Sequence, residues 1–142
     1  MKNIPFAVIG ITGSFLASLL GGWDMALQTL IIFMIADYVT GLVVAGVFRN
    51  SLKTDHGALE SKTGWKGLCK KCMTLLYVLI ASQLDNIAGT DIIRNTVVIG
   101  FVANEALSIL ENGGLMGIRY PKKLKDAIEL LNDKVGGDTN AN

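Results

Sequence analysis

The sequence predicts an all-α integral membrane protein with four transmembrane helices and a short cytoplasmic amphipathic helix. Of its 142 residues, 51% are hydrophobic and only 18% are charged, so a water-soluble fold would have to bury nearly the whole first third of the chain. We expect a membrane domain over residues 1–118 and a cytoplasmic segment over residues 119–142. That segment should end in a disordered tail, Gly136 to Asn142.

Uncharged runs define the predicted spans. The first covers residues 4–22 and the second residues 25–48, and each is long enough to cross about 30 Å of hydrocarbon. The third, residues 72–89, and the fourth, residues 92–110, have charged residues towards their ends, where such groups can reach the interface. Three spans are the alternative, because the last two runs are less apolar.

The basic residues orient these spans. The connection over residues 49–71 contains Arg49, Lys53, Lys62, Lys66, Lys70 and Lys71 against Asp55 and Glu60. By the positive-inside rule this connection is cytoplasmic, and four spans then place both termini in the cytoplasm. We expect a set of basic residues to lie at the lipid surface, namely Lys70, Lys71, Arg119, Lys122, Lys123 and Lys125. The last three begin an amphipathic helix predicted from Pro121 to Val135, which either lies on the inner leaflet or packs on the bundle.

Small residues recur four apart along the predicted spans. They let helices approach closely in lipid, where the hydrophobic effect does not drive association. The candidates for helix packing or oligomerisation are Gly10, Gly13, Ser14, Ala17, Ser18, Gly21, Gly41, Ala45 and Gly100. Contacts within one bundle and contacts between copies both remain open.

Polar residues share faces with these small residues. The candidates for lining an aqueous lesion are Asp37, Thr40, Asp85, Asn104, Glu105 and Ser108. Asp37 stands near the middle of the second span, where an acid costs about 2.5–3.5 kcal/mol on insertion scales. Because no span offers Asp37 a basic partner, two interpretations stay open. The carboxyl is protonated and hydrogen-bonded to a neighbouring helix, or it forms part of a water-filled wall.

No pattern in the sequence indicates an enzyme. Cys69 and Cys72 form a single C-x-x-C, which without a second pair or a nearby histidine is weak evidence for a metal or redox site. His56 stands alone in a polar segment. We expect no catalytic, cofactor-binding or metal-binding residues and no nucleic-acid partner.

Four segments resemble the bacteriophage holin family of the toxin-secretion and phage-lysis type. They are DYVTG at Asp37–Gly41, SKTGWKGLCKKC at Ser61–Cys72, NEALSILEN at Asn104–Asn112 and GIRYPKKLKDAIELL at Gly117–Leu131. The resemblance implies a protein that oligomerises in the bacterial cytoplasmic membrane and forms lesions that time host lysis. Its partners would be membrane lipid and further copies of itself, with an endolysin or a large toxin as passenger rather than bound partner. Two alternatives are a subunit of a small ion- or proton-coupled transporter and a membrane adaptor that recruits a cytoplasmic partner.

Overall fold

The computed structural model describes residues 2–136 and is all-α over that range, which confirms the predicted fold class. The helices are α1 (Ile4–Leu19), α2 (Met25–Val43), α3 (Ser61–Ala88), α4 (Ile92–Leu115) and α5 (Lys122–Gly136), and α2 continues as a π-helical stretch over Val44–Phe48. Gly136 ends α5, and the rest of the predicted disordered tail, residues 137–142, lies outside the described residues.

The bundle is built around α4, which packs against both α2 and α3, whereas α2 and α3 touch each other little. Its apolar core is small and consists of Leu30, Met34, Val78 and Val98. All three of these helices are long and apolar enough to cross a membrane, and most of their apolar surface faces outward. This distribution suits a lipid environment, in which apolar side chains need not be buried in protein.

The first helix is shorter and more loosely attached. It has 16 residues, or about 24 Å of length, and none of them is buried. The helix stops before the end of the predicted span because Gly21 and Gly22 adopt positive φ angles of 93° and 99°. The chain then enters α2, where the Asp24 carboxylate accepts a hydrogen bond of 2.9 Å from the Leu27 amide and caps the helix.

The structure corrects the extent of the connection predicted over residues 49–71. Helix α3 begins at Ser61 rather than near Cys72, so only residues 49–60 connect α2 to α3. Lysine is a good helix former, and no proline interrupts the sequence between Ser61 and Cys72. The connection turns at Gly57, whose φ is 75° and whose Cβ, if present, would clash with the Arg49 carbonyl oxygen. Helix α4 likewise runs to Leu115 instead of residue 110.

Two glycines near the start of α3 accommodate an aromatic ring from α2. The Tyr38 hydroxyl donates a 3.3 Å hydrogen bond to the Gly64 carbonyl oxygen. A Cβ atom on Gly64 would lie 3.3 Å from that hydroxyl, and one on Gly67 would lie 3.5 Å from the ring. Larger residues at these positions would push α3 away from α2, so the two glycines help to position the next turns of α3.

Candidate functional site: a charged cluster inside the bundle

Three charged side chains from three helices meet inside the bundle and form what we call the charged cluster: Asp37, Lys71 and Glu105. The Lys71 ammonium donates hydrogen bonds of 2.8 Å to Asp37 Oδ2 and of 2.8 Å to Glu105 Oε2. Exposure of the side chains is only 9% for Asp37, 16% for Lys71 and 13% for Glu105. Because α2 and α3 touch little, this shared lysine is a principal connection between them.

The cluster lies well inside the helices that bear it. Asp37 and Glu105 stand near the middles of their apolar segments, and Lys71 is about three turns from the start of α3. Each is roughly 15 Å along its helix from the end next to the connection over residues 49–60. At such depth an isolated charge is costly, whereas an ion pair with complete hydrogen bonding is tolerated.

An asparagine completes the polar contacts of Asp37. The Asn112 amide donates to Asp37 Oδ1 at 3.1 Å, to the Asp37 carbonyl oxygen at 3.2 Å and to the Thr40 hydroxyl oxygen at 2.9 Å. Thr40 in turn donates to the Ala36 carbonyl oxygen at 2.8 Å. Gly41 lies next to this contact, and a Cβ atom there would be in ordinary van der Waals contact with the Asn112 nitrogen, at 3.8 Å.

The charges in the cluster do not balance. Two carboxylates and one ammonium give a net charge of −1 when all three groups are ionised. The Coulomb energy of a like-charge pair grows as the surroundings become less polar, so the surplus charge is costly in the closed bundle and less so beside water. The cluster is therefore held together by Lys71 and at the same time contains a repulsive pair of acids.

A cavity of about 510 Å³ adjoins the charged cluster. It is lined by residues of α2, α3 and α4 and extends from the cluster to the connection over residues 49–60. Its inner end is lined by the three cluster residues and Ser108, and its outer end by residues such as Leu52 and Tyr120. A space of this size whose inner end carries charged and hydroxyl groups can hold water molecules there, so the cluster has a route to water on that side.

A second group of polar residues lies at the opposite end of the bundle, around Arg94. This residue is only 4% exposed. Its guanidinium donates to the Leu20 carbonyl oxygen at 2.9 Å and to the Gly22 carbonyl oxygen at 3.1 Å, and it pairs with the Asp24 carboxylate. These contacts hold the turn between α1 and α2 against the start of α4. Gly21 must be small here, because its Cβ would lie 2.8 Å from the Arg94 Nε atom.

Asp85 belongs to this second group and not to the charged cluster. One carboxylate oxygen accepts from the Thr90 hydroxyl at 2.6 Å and from the Ile93 amide at 3.1 Å. The other accepts from the Arg94 amide at 2.7 Å. Asp85 thus satisfies the free amides at the start of α4, a structural role that the sequence analysis did not assign to it.

The Asp24–Arg94 pair gives a pH-dependent prediction. The hydrogen bond from Arg94 lowers the pKa of the Asp24 carboxyl below its ordinary value of 3.8. A carboxyl whose pKa is lowered on folding stabilises the fold at pH values above its unfolded-state pKa. This stability is lost as the pH falls through the folded-state pKa. Because the Asp24 side chain is 48% exposed, solvent screens the pair and we expect a small effect.

Unfolding measured in detergent micelles between pH 5 and pH 2 checks this prediction. Asp24→Asn is the matched variant, since asparagine still caps α2 but cannot titrate. Wild type should lose more stability than the variant as the pH falls. Parallel pH profiles for the two proteins would contradict the prediction.

The structure places several predicted site residues differently from the sequence analysis. Lys71 is not at the lipid surface as expected, because the longer α3 turns it inward. The expectation that Asp37 has no basic partner is therefore wrong. Asn104 and Glu105 are neighbours in sequence but lie on different faces, with Asn104 exposed. The exposed or half-buried basic residues are Lys70, Arg119, Lys122, Lys123 and Lys125.

Most of the small residues on α1 make no close contact within the described chain. A Cβ atom on Gly10 or Gly13 would have nothing within 4 Å, and Ser14 is exposed. Ala17, Ser18 and Gly21 line a shallow depression between α1 and α3. Packing within one bundle therefore leaves the first half of α1 unused, and its role in association between copies stays a prediction.

Three long apolar helices with an ion-paired cluster between them define the class of this protein, a small multi-pass helical membrane protein with charged residues held inside its bundle. The chain belongs to the bacteriophage holin family, whose characteristic sequence it matches over residues 14–133. This places it among multi-pass proteins of the cytoplasmic membrane.

Individual relatives cover most of the chain. An uncharacterised protein of Listeria monocytogenes is 38% identical over 136 residues, which are 95% of this chain and 91% of the relative. An uncharacterised 14.9 kDa protein of Clostridium perfringens is 36% identical over 94% of this chain and 96% of its own length. A probable holin of Bacillus phage phi105 is 27% identical over 74% of this chain and 73% of the phage protein. No solved structure matches the chain.

Proposed function

We propose that this protein is a holin that oligomerises in the bacterial cytoplasmic membrane and opens lesions through which a cytoplasmic endolysin, or a large toxin, leaves the cell. The observation that carries the proposal is the charged cluster of Asp37, Lys71 and Glu105, set inside helices whose outer surfaces are apolar. Membership of the holin family and the probable holin of phage phi105 support it.

The cluster explains how one chain can be harmless and later form a lesion. In the single bundle its polar groups satisfy one another, so the outer surface can remain in contact with lipid and the protein can accumulate. When copies assemble, the helices can turn their polar faces towards shared water, which removes the cost of burying the surplus charge. The weak contact between α2 and α3 and the cavity beside the cluster make this the part of the bundle most easily opened.

In this proposal the lesion wall includes Asp37, Thr40, Glu105 and Ser108. The small residues of α1, with Gly10 and Gly13 free of internal contacts, supply one surface for contact between copies. The basic residues at the start of α5 and the exposed Lys70 lie against anionic lipid at the inner surface. The protein catalyses no reaction, and the endolysin passes through the lesion without a dedicated binding site.

We further propose four spans with both termini in the cytoplasm. Helix α1 is the shortest, but the uncharged sequence continues from Ile4 to Gly22, which is enough for a thin or locally compressed bilayer. The membrane domain then comprises residues 1–118, and residues 119–142 are cytoplasmic. The first basic segment precedes α3 and forms its first turns, and the second follows α4, so both lie inside under this arrangement.

Reporter fusions check the topology. A reporter after Asn142 should be cytoplasmic, and one inserted at Gly89, in the turn between α3 and α4, should be outside the membrane. An external reporter at Asn142 would remove the four-span arrangement. A cytoplasmic reporter at Gly89 would mean that α3 does not cross.

Expression in a bacterial host tests the function itself. The protein is induced with and without a peptidoglycan-degrading enzyme that lacks its own export signal, while membrane potential and leakage of a cytoplasmic marker protein are followed. A sudden loss of potential with marker release, and lysis only when the enzyme is present, supports the holin. Selective ion flux without marker release would instead indicate the transporter, and neither effect would indicate the adaptor.

A further inference from the structure

The outward face of α4 carries a polar side chain that the bundle does not use. Thr96, Gly100 and Asn104 follow one another at intervals of four residues, and Thr96 and Asn104 are exposed. Within the described chain the Asn104 amide makes no hydrogen bond. Asn112, two turns further along the same helix, makes three, so α4 places one asparagine inward and one outward.

The position of Asn104 in the membrane makes its exposure costly. It is the thirteenth residue of the 24-residue α4, or roughly 18 Å from the first residue of the helix, which is close to the bilayer centre. Lipid tails offer no hydrogen-bond donor or acceptor, and an unsatisfied amide in an apolar environment costs several kcal/mol on transfer scales. The single bundle therefore leaves a strong polar group without a partner at this depth.

Gly100, one turn before Asn104, has no explanation within the bundle either. A Cβ atom there would meet nothing within 4 Å, unlike one on Gly64, which would lie 3.3 Å from the Tyr38 hydroxyl. A glycine costs helix stability of about 1 kcal/mol relative to alanine. Its lack of a side chain would instead permit the backbone of another helix to approach at this point.

We propose that this face of α4 pairs with the same face of a second copy, with the two Asn104 amides hydrogen-bonded to each other across the contact. All copies insert with one topology, so a second copy presents the identical amide at the identical depth. An amide contains both a donor and an acceptor, which makes the pair self-complementary. The inference rests on the proposed assembly into lesions and names the contact with which that assembly begins.

The geometry of such a pair is parallel, with Gly100 at the closest approach of the two helices. Thr96 would lie two turns from the asparagines and could contribute its hydroxyl. Glu111 is on the same edge of α4, but it is one turn from the end of the helix, where the carboxylates of both copies can stay hydrated. The charged cluster of each copy remains on a different face of α4, since Glu105 points about 100° away from Asn104.

Cysteine cross-linking tests the pairing without altering Asn104. In a chain with Cys69→Ser and Cys72→Ser, Thr96→Cys reports on the proposed face and Ile35→Cys on the exposed face of α2, where Ile35 is 59% exposed. Oxidation in membranes should convert Thr96→Cys, and far less of Ile35→Cys, into a covalent dimer. Adding Asn104→Leu should lower the dimer yield by about threefold to tenfold, whereas Asn104→Gln should preserve it. Membrane abundance is matched by immunoblot.

Any of three results would overturn the inference. The first is equal dimer yield from Thr96→Cys and Ile35→Cys, and the second is a yield that Asn104→Leu leaves unchanged. The third is the absence of cross-linking from Thr96→Cys. If a membrane-impermeant thiol reagent then labels Thr96→Cys after marker release, this face lines water instead.

The proposed function can fail separately from this inference. If the wild-type chain releases no marker protein, the holin proposal fails, although the cross-linking result stands by itself. If wild type releases the marker and Asn104→Leu releases it at the same time, the pairing through α4 fails while the holin proposal stands.

Discussion

Replacing Lys71 with methionine is expected to destabilise the protein by about 3–5 kcal/mol, the typical cost of removing one partner from a buried ion pair. Methionine preserves much of the length and apolar character of the lysine side chain, but it leaves Asp37 and Glu105 facing each other without a cation. The expected result is a sharp fall in unfolding stability in detergent micelles and in steady-state abundance in the membrane.

Two control variants separate the lost charge from lost packing. Lys70→Met changes the adjacent lysine, which is exposed, and should alter stability by less than about 0.5 kcal/mol. The triple variant Lys71→Met, Asp37→Asn, Glu105→Gln removes every charge from the cluster and should recover most of the stability lost by Lys71→Met, since a neutral polar group is far less costly to bury than an unpaired charge. Equal effects of Lys70→Met and Lys71→Met would show that the cluster does not hold the bundle together.

The contrast between Lys70 and Lys71 shows what could not be predicted from the sequence. Hydropathy identified the all-α membrane fold, the order of the apolar runs located α1 to α4, and the amphipathic pattern after Pro121 located α5. Hydropathy also assigned the lysine-rich start of α3 to a connection, because a hydropathy average does not distinguish the exposed face of a helix from its buried face. In the structure Lys62, Lys66 and Lys70 share an exposed face, while Lys71 lies on the face of Gly67 and Thr74. Helical spacing within Ser61–Thr74 was the available signal for an inward lysine.

The polar residues of α4 mark a different limit. Asn104 and Glu105 are both polar and adjacent, so the sequence placed them together, although consecutive helical residues point about 100° apart. Which of them faces the bundle depends on the contacts of Glu105 with Lys71 and on the seven-residue spacing to Asn112. The contacts of Arg94 could not be predicted from the sequence either, because two of its acceptors are carbonyl oxygens in the turn between α1 and α2. Their positions follow from the glycine conformations of that turn and from tertiary packing.

Asp37→Asn is expected to delay lysis at matched membrane abundance. The substitution changes the charged cluster from a net −1 to neutral and leaves Lys71 paired with Glu105. It removes both the repulsion between the two carboxylates and the ion pair of Asp37 with Lys71, so two opposing electrostatic effects on the closed bundle largely offset each other. Asparagine can still accept a hydrogen bond from Asn112, and without the surplus charge the bundle gains less free energy from opening to water. Asp37→Leu is also neutral but removes the carboxylate acceptor of the Asn112 amide and puts an apolar side chain in the polar cluster, so it should accumulate poorly and be the more defective variant.

Glu105→Gln distinguishes the surplus charge from any special role of Asp37. It also makes the cluster neutral, with Lys71 paired to Asp37, and should delay lysis to a similar extent. Combining Asp37→Asn with Glu105→Gln leaves Lys71 as an unpaired cation, so the double variant should lose stability instead of adding the two delays. The measurements are lysis time and release of a cytoplasmic marker protein for all four chains. If both single variants lyse on the wild-type schedule, the surplus negative charge does not drive opening, and the cluster is only a structural contact among α2, α3 and α4.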